Sequence, residues 1–278
     1  MFIKKAVKVL LRCVASVSVL YIAWLLGRVF VFDYFTVPTK SMSPTIMPGS
    51  KVIVNKLLFG PRLYTDLHFR RGGQELKAVR LKGKRELRRN DIVVFNYPLH
   101  HGRISFEINH VYCKRIVGMP GDTLSAVGGH LFNNNCPKIL GNEKRQRQLE
   151  GKTVEVLKRY KVYDVAPRRD RHFGWNIQNW GPLYVPRRGD IITVTPREAT
   201  LYRRILEWET GAKITYDWDN MAVFAGGRRI RTHRFRHNYY HICGDYSLDS
   251  FDSRYWGFVP EEYIIGVVTK IIPPRKKK

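Results

Sequence analysis

Cysteine is scarce in this chain. Of 278 residues only four are cysteine, Cys13, Cys113, Cys136 and Cys243, and no two stand in C-x-x-C spacing. That excludes a zinc ribbon and a thioredoxin-type redox site. Four thiols are too few for a disulfide scaffold, although one bridge is open to them. No G-x-x-x-x-G-K-[ST] run occurs, which excludes a P-loop nucleotide engine. Acidic residues are few as well: 23 Asp and Glu face 49 Lys and Arg, a net charge of +26. Such an excess suits a nucleic acid or an anionic membrane surface. What is present in quantity is apolar, 44% of the chain with 13% aromatic. Wholesale disorder is thereby excluded, and the length allows one large domain or two modest ones.

An uncharged stretch favours the membrane. Residues 13–27 carry no charge, and after Arg28 the apolar run resumes from Val29 to Phe32. Twenty residues at ~1.5 Å rise cover roughly 30 Å, the hydrocarbon thickness. Arg28, near the end, can extend its head toward the interface. Lys4, Lys5, Lys8 and Arg12 precede the run, whereas residues 28–42 hold Arg28 and Lys40 against Asp33. This imbalance predicts a cytoplasmic amino terminus and a catalytic or binding portion outside. A cleavable signal peptide needs small residues where the run ends, and here the chain reads Arg28-Val29-Phe30-Val31-Phe32-Asp33-Tyr34-Phe35. A buried core helix is the other competing reading. The expectation is an uncleaved single anchor over residues 1–32, with anionic lipids as partners and no nucleic acid.

Beyond Asp33 the pattern is mostly period-two with Gly and Pro punctuation, so the fold class is mainly β. Strands are expected at 51–55, 91–95, 110–117, 190–194, 221–225, 228–234 and 264–272, with Gly226-Gly227 as a hairpin turn. One helix is expected over 196–210. Thr195 caps it, Pro196 opens it, Glu198 completes a capping box and Gly211 ends it. Residues 60–90 are basic and turn-rich. A second unit is expected over 126–231, inserted between the parts of a core at 33–125 and 232–270, with a basic tail at 271–278. His233 and His237 are four apart on a strand, so they make no metal pair.

Three segments carry chemistry. Val37-Pro38-Thr39-Lys40-Ser41-Met42-Ser43-Pro44-Thr45 places hydroxyls just beyond the membrane, either a polar loop or a nucleophile. In the second, residues 112–122, strand alternation puts Lys114 on one face with Tyr112 and Ile116. An unperturbed lysine, pKa ~10.4, is only about 0.1% neutral near pH 7.5, so about 2.7 kcal/mol of differential desolvation would make a useful base of it. A plain strand-edge lysine is the alternative. In the third, residues 244–257, Ser250, Asp252 and Arg254 form a hydrogen-bonded loop or an active-site wall. Cys113 and Cys243 border these segments, bridged or free.

Taken in order, Ser41-Met42-x-Pro44-Thr45, Lys114-Arg115-x-Val117-Gly118-x-Pro120-Gly121-Asp122 and Gly244-Asp245…Ser250-x-Asp252-Ser253-Arg254-Tyr255-Trp256-Gly257 resemble the bacterial type I signal peptidases. Arg89-Asn90-Asp91-Ile92-Val93-Val94-Phe95 is similar to a further strand motif of that family. The resemblance implies a transmembrane helix, then a β-rich catalytic core with an inserted β-rich second domain carrying one helix. It implies a serine endopeptidase that cleaves exported preproteins after small residues through an acyl-enzyme. The setting implied is the bacterial cytoplasmic membrane, single-pass, with the catalytic domain on its outer side and no metal or cofactor. Residue by residue, Ser41 matches the nucleophile, Lys114 the general base and Ser250 a hydroxyl orienting that lysine. Thr39 with the Ser41 amide matches the oxyanion hole, and Asp252 with Arg254 a structural ion pair. Met42 resembles a residue near substrate-binding apolar surface. Lys40 and Asn90 stand where glycines are common, and Tyr246-Ser247 replaces an Asn-Arg pair. A self-cleaving repressor-type protease would carry a helix-turn-helix and no anchor. A noncatalytic, membrane-anchored basic binding protein would explain the charge but not the three segments together.

Overall fold

The computed structural model describes residues 2–70, 72–168 and 170–275, apart from the side chains of residues 2–6. Lys4 and Lys5 of the basic flank are thus placed by their backbone alone, and residues 276–278 of the tail lie outside the described residues. Helix α1, Phe2–Leu26, has no Pro or Gly to interrupt it and ends at Gly27, where a wider turn, Gly27–Val31, takes over. Its apolar stretch, Val7–Val31, has mean hydropathy 2.1 and is not buried against the rest of the chain. Phe32, expected in the apolar run, instead begins a strand. The aromatic and β-branched residues that follow favour extended backbone, and a partner strand is at hand.

Seven antiparallel strands form the main sheet: β1 Phe32–Val37, β2 Ser50–Asn55, β3 Ile92–Asn96, β4 Val111–Gly118, β5 Tyr239–Cys243, β6 Val259–Pro260 and β7 Ile264–Ile272. Their order across the sheet is β1-β2-β7-β3-β4-β5-β6. Four of them fall where period-two patterning put them. The expected strand at 228–234 divides at Arg231 into Arg228–Ile230 and Thr232–Arg234, which join different sheets.

Between β4 and β5 lies the segment expected to form a second unit. Its strands Thr123–Val127, His130–Asn133 and Trp180–Tyr184 make one sheet, and Ile214–Asp217, Ala222–Ala225 and Arg228–Ile230 make a meander turning at Gly226 and Gly227. The capping box at Thr195 and Glu198 is present. The expected single helix is two, α2 Pro196–Leu201 and α3 Arg203–Thr210, parted at Tyr202, whose φ of −106° and ψ of 14° leave the helical region. Gly211 closes α3 at φ 68°, a left-handed conformation that glycine adopts without steric cost. Nor is this the unit's sole helical segment: Glu143–Gln146 and Val154–Arg159 are helical, capped by the side chains of Asn142 and Thr153. Segments of four and six residues are too short to display a 3.6-residue period.

One apolar cluster runs through both units. Phe95 and Ile116 of the main sheet, Leu124 and Leu183 of the second unit, and Ile205 and Leu206 of α3 all belong to it. A smaller cluster beneath β1 and β2 contains Val37, Met42, Ile46, Val52 and Val54. The basic stretch at 60–90 also turns inward. Arg62 donates to the Glu262 carbonyl at 2.9 Å and to Asn96 at 2.8 Å, and Arg80 donates to the carbonyls of Gly60, Glu261 and Ile264.

Candidate active site

Ser41 sits in the loop joining β1 to β2, whereas Lys114 is on β4, opposite Val93. Three strand spacings of about 4.8 Å separate β2 from β4, so the loop must fold back over the sheet to reach the lysine. Met42 and Ile46, wholly buried, hold it down. The Ser43 amide donates to the Lys40 carbonyl at 2.8 Å and the Ile46 amide to the Met42 carbonyl at 2.9 Å, which tightens the loop into turns. Met42 is therefore a plug in the smaller core. It has no exposed surface to offer a substrate.

In this arrangement Lys114 Nζ and Ser41 Oγ are hydrogen-bonded, and both residues are 5% exposed. Burial is the main influence on the amine and pushes its pKa below the ordinary lysine value. The Asp252 carboxylate opposes that shift and Arg254 adds to it. Tyr112, the neighbour two residues earlier on the strand, has its ring 5.8 Å from the amine. On the other side Thr39 Oγ1 lies 3.2 Å from Ser41 Oγ, and Thr39 is exposed.

The third segment closes the site from behind. Asp252 and Arg254 form a buried two-pronged ion pair at 2.8 and 2.6 Å. Burial alone would raise the Asp252 pKa, but Arg254, Ser250 and the Gly244 amide hold it below the usual carboxylate value. The Ser250 hydroxyl donates to Asp252 Oδ2 at 2.6 Å, and among the described residues no hydrogen bond joins it to Lys114. The expected direct orientation of the lysine by Ser250 is replaced by this contact, because an ionised carboxylate is the stronger acceptor within reach. Gly244 explains how three chain segments approach so closely. A Cβ there would stand 2.1 Å from Ser250 Oγ and 2.5 Å from the Ser41 carbonyl oxygen. The Tyr246 amide donates to that same carbonyl at 3.0 Å. A backbone amide makes this bond whatever side chain follows, so Tyr246 in place of asparagine leaves the support intact.

One clamp escaped the sequence reading. Arg115, next to Lys114 and pointing to the other face, holds Asp245 through two bonds of 2.7 Å and reaches the Asn90 carbonyl at 3.0 Å. Asp245 also accepts from Thr45. Arg115, Asp245 and Thr45 lie one in each motif, and that distribution was the available signal. Arg89 and Asn133 similarly hold Asp122. Cys113 and Cys243 are free, so no bridge joins them. His233 and His237 each face a carboxylate, Glu209 at 2.7 Å and Glu262 at 2.8 Å.

A family model described as signal peptidase, peptidase S26, matches residues 10–272. The chain belongs to this family. Membership makes it a serine endopeptidase. It is similar to signal peptidase I of Buchnera aphidicola subsp. Schizaphis graminum, 25% identical over 98% of this chain and 77% of that protein. It is similar also to signal peptidase I of Buchnera aphidicola subsp. Acyrthosiphon pisum, 26% identical over 94% and 74%. A crystal structure of a signal peptidase I from Enterococcus faecalis V583 aligns at 19% identity and a TM-score of 0.30, covering 66% of this chain and 97% of that one. Family members act on preproteins bearing signal peptides, and the chain has one apolar helix of membrane-spanning length among the described residues.

Proposed function

We propose that the protein is a single-pass enzyme of the bacterial cytoplasmic membrane that removes signal peptides from exported preproteins after small residues. Lys114, whose burial favours the neutral amine, takes the Ser41 proton, and Ser41 Oγ attacks the carbonyl carbon of the cleaved bond. The tetrahedral oxyanion is met by the Thr39 hydroxyl and the Ser41 amide. The protonated lysine then gives its proton to the leaving amine, leaving an acyl-enzyme. Lys114 next deprotonates a water that hydrolyses the ester and regenerates Ser41. Asp252 and Arg254 act as structural support, and Ser250 acts on the lysine through Asp252.

The contact between Lys114 Nζ and Ser41 Oγ in a nearly closed environment carries this reading. The anchor would hold enzyme and substrate in one bilayer and raise their effective concentration. The lysines and arginine in the first half of α1, ahead of its uncharged stretch, favour a cytoplasmic amino terminus, with the sheet on the outer side and the excess positive charge against anionic headgroups. The test is the purified full-length chain in detergent with a preprotein bearing an Ala-x-Ala site. Ser41→Ala and Lys114→Met should each lower cleavage by about a thousandfold or more with the fold retained, and chelator should leave the native rate unchanged. Cleavage that survives Ser41→Ala, or that chelator abolishes, overturns the mechanism.

A further inference from the structure

Beside the proposed catalytic groups, a cavity of ≈ 1140 Å³ opens between the main sheet and the second unit, and its lining does not include Ser41 or Lys114. It begins close to them. Tyr97 and Phe251 form its near wall. Phe251 follows Ser250 in sequence, and the Tyr97 ring lies 4.9 Å from that of Tyr112, which is itself 5.8 Å from Lys114 Nζ. The entrance is thus roughly 10 Å from the amine, about three residues of extended chain.

The charge of the lining is one-sided. Arg103, Arg168 and Arg204 line the cavity, all exposed, and none has a carboxylate partner among the described residues. Arg204 donates only to the carbonyls of Gly102 and Trp256, at 3.3 and 3.0 Å, and Arg168 lies over the Tyr255 ring at 5.7 Å. The two acids of the lining have partners of their own, Asp170 with His172 at 2.9 Å and Glu207 with a fourth lining arginine, Arg203, at 3.2 Å. One guanidinium over an aromatic ring, with two more beside it that lack carboxylate partners, suits carboxylates on a polypeptide.

We propose that this cavity receives an acidic stretch of the substrate on the carboxyl side of the cleaved bond. The inference rests on the proteolytic reading above. The opposite side of the bond belongs to the apolar, bilayer-bound signal peptide, so only the emerging mature segment can bring charge to a wet cavity. Tyr97 and Phe251 would guide that segment past Ser250, and the three arginines would hold its carboxylates.

Two peptides identical through an Ala-x-Ala site test this, one carrying Glu and the other Gln at the third to eighth residues after the bond. Native enzyme should show a KM about five- to tenfold lower for the Glu peptide at low salt, a difference that shrinks in 0.5 M salt as charge is screened. In the double variant Arg103→Gln/Arg168→Gln the ratio should fall to within twofold of unity, and the Lys pair at the same positions should restore most of it. Arg168→Glu should reverse the preference toward a Lys-bearing peptide. Equal KM values in native enzyme, or a ratio unmoved by the double substitution, overturn the proposal while leaving the protease reading standing. If neither peptide is cleaved, both readings fall. If the double variant loses binding to phosphatidylglycerol vesicles but keeps the peptide ratio, the cavity is a lipid site and the proposal is overturned.

Discussion

Lys114, the proposed general base, is a residue that its fold holds at a cost. In the unfolded chain the amine keeps its proton up to about pH 10.5, whereas burial lowers its pKa in the folded chain. Below the folded value both states are protonated and the full desolvation penalty weakens the fold. Between the two values the folded state sheds its proton and the penalty fades, and above 10.5 it is gone. Lys114→Met should therefore raise the melting temperature at pH 7 by about 2–4 °C, while activity disappears. Calorimetry from pH 6 to 11 would check this, the gain shrinking toward the alkaline end. For the same reason cleavage by the native enzyme should rise with pH as the lysine deprotonates. Alternation along one strand was enough to place Lys114 beside Tyr112 and Ile116. The Ser250 contact was not readable, since a hydroxyl near both an amine and a carboxylate chooses between them by geometry alone. Asn90 is a legible departure. At φ 70° it occupies the left-handed region where glycine is usual, and asparagine is among the residues that tolerate it. Its side chain then accepts from the Gly141 amide and donates to the Ile139 carbonyl, bonds that glycine has no atoms to make.

At the scale of elements, the β1–β2 loop, β4 and the segment after β5 are held together by Arg115, Asp245 and Thr45. Asp245 is only 1% exposed at its side chain, so removing its cation leaves a charge with no water to solvate it. Arg115→Ala should destabilise the fold by about 3–5 kcal/mol, measurable by urea denaturation. Arg115→Lys should recover part of that, because a point charge cannot make both bonds of the fork. Four of the seven sheet strands were legible, β2 most openly because burial alternates along it. β5 was missed because all five of its residues are buried, which erases the alternation that marks a half-buried strand. The split of the helix at Tyr202 was equally hidden. The Tyr202 hydroxyl donates to the Tyr184 carbonyl, a tertiary contact without local trace.

The whole molecule is less divided than its chain order suggests. The second unit shares one apolar cluster with the main sheet, and Glu209 of α3 accepts from Tyr239 of β5 at 2.6 Å. The order of the motifs suggests an inserted unit, but the sequence cannot show a shared core, because packing between distant segments leaves no periodicity. The apolar helix α1, the proposed anchor, is also tied to the sheet. Lys56, at the end of β2, donates to the Arg28 carbonyl at 2.6 Å and to Asp33 at 3.3 Å, while Asp33 also binds Arg28. Arg28 does not merely extend toward the interface, as expected, but lies over the Tyr34 ring at 4.9 Å. Lys56→Ala should slow cleavage of a preprotein in proteoliposomes by about fivefold and leave cleavage of a short soluble peptide unchanged, as parallel rate measurements would show. The knot of Arg28, Asp33 and Lys56 ties the end of the apolar helix to β2, where the chain would leave the lipid. Tilting the anchor would then swing the cleft up or down like a stiff lever, and bilayer thickness would set the height at which the enzyme cuts.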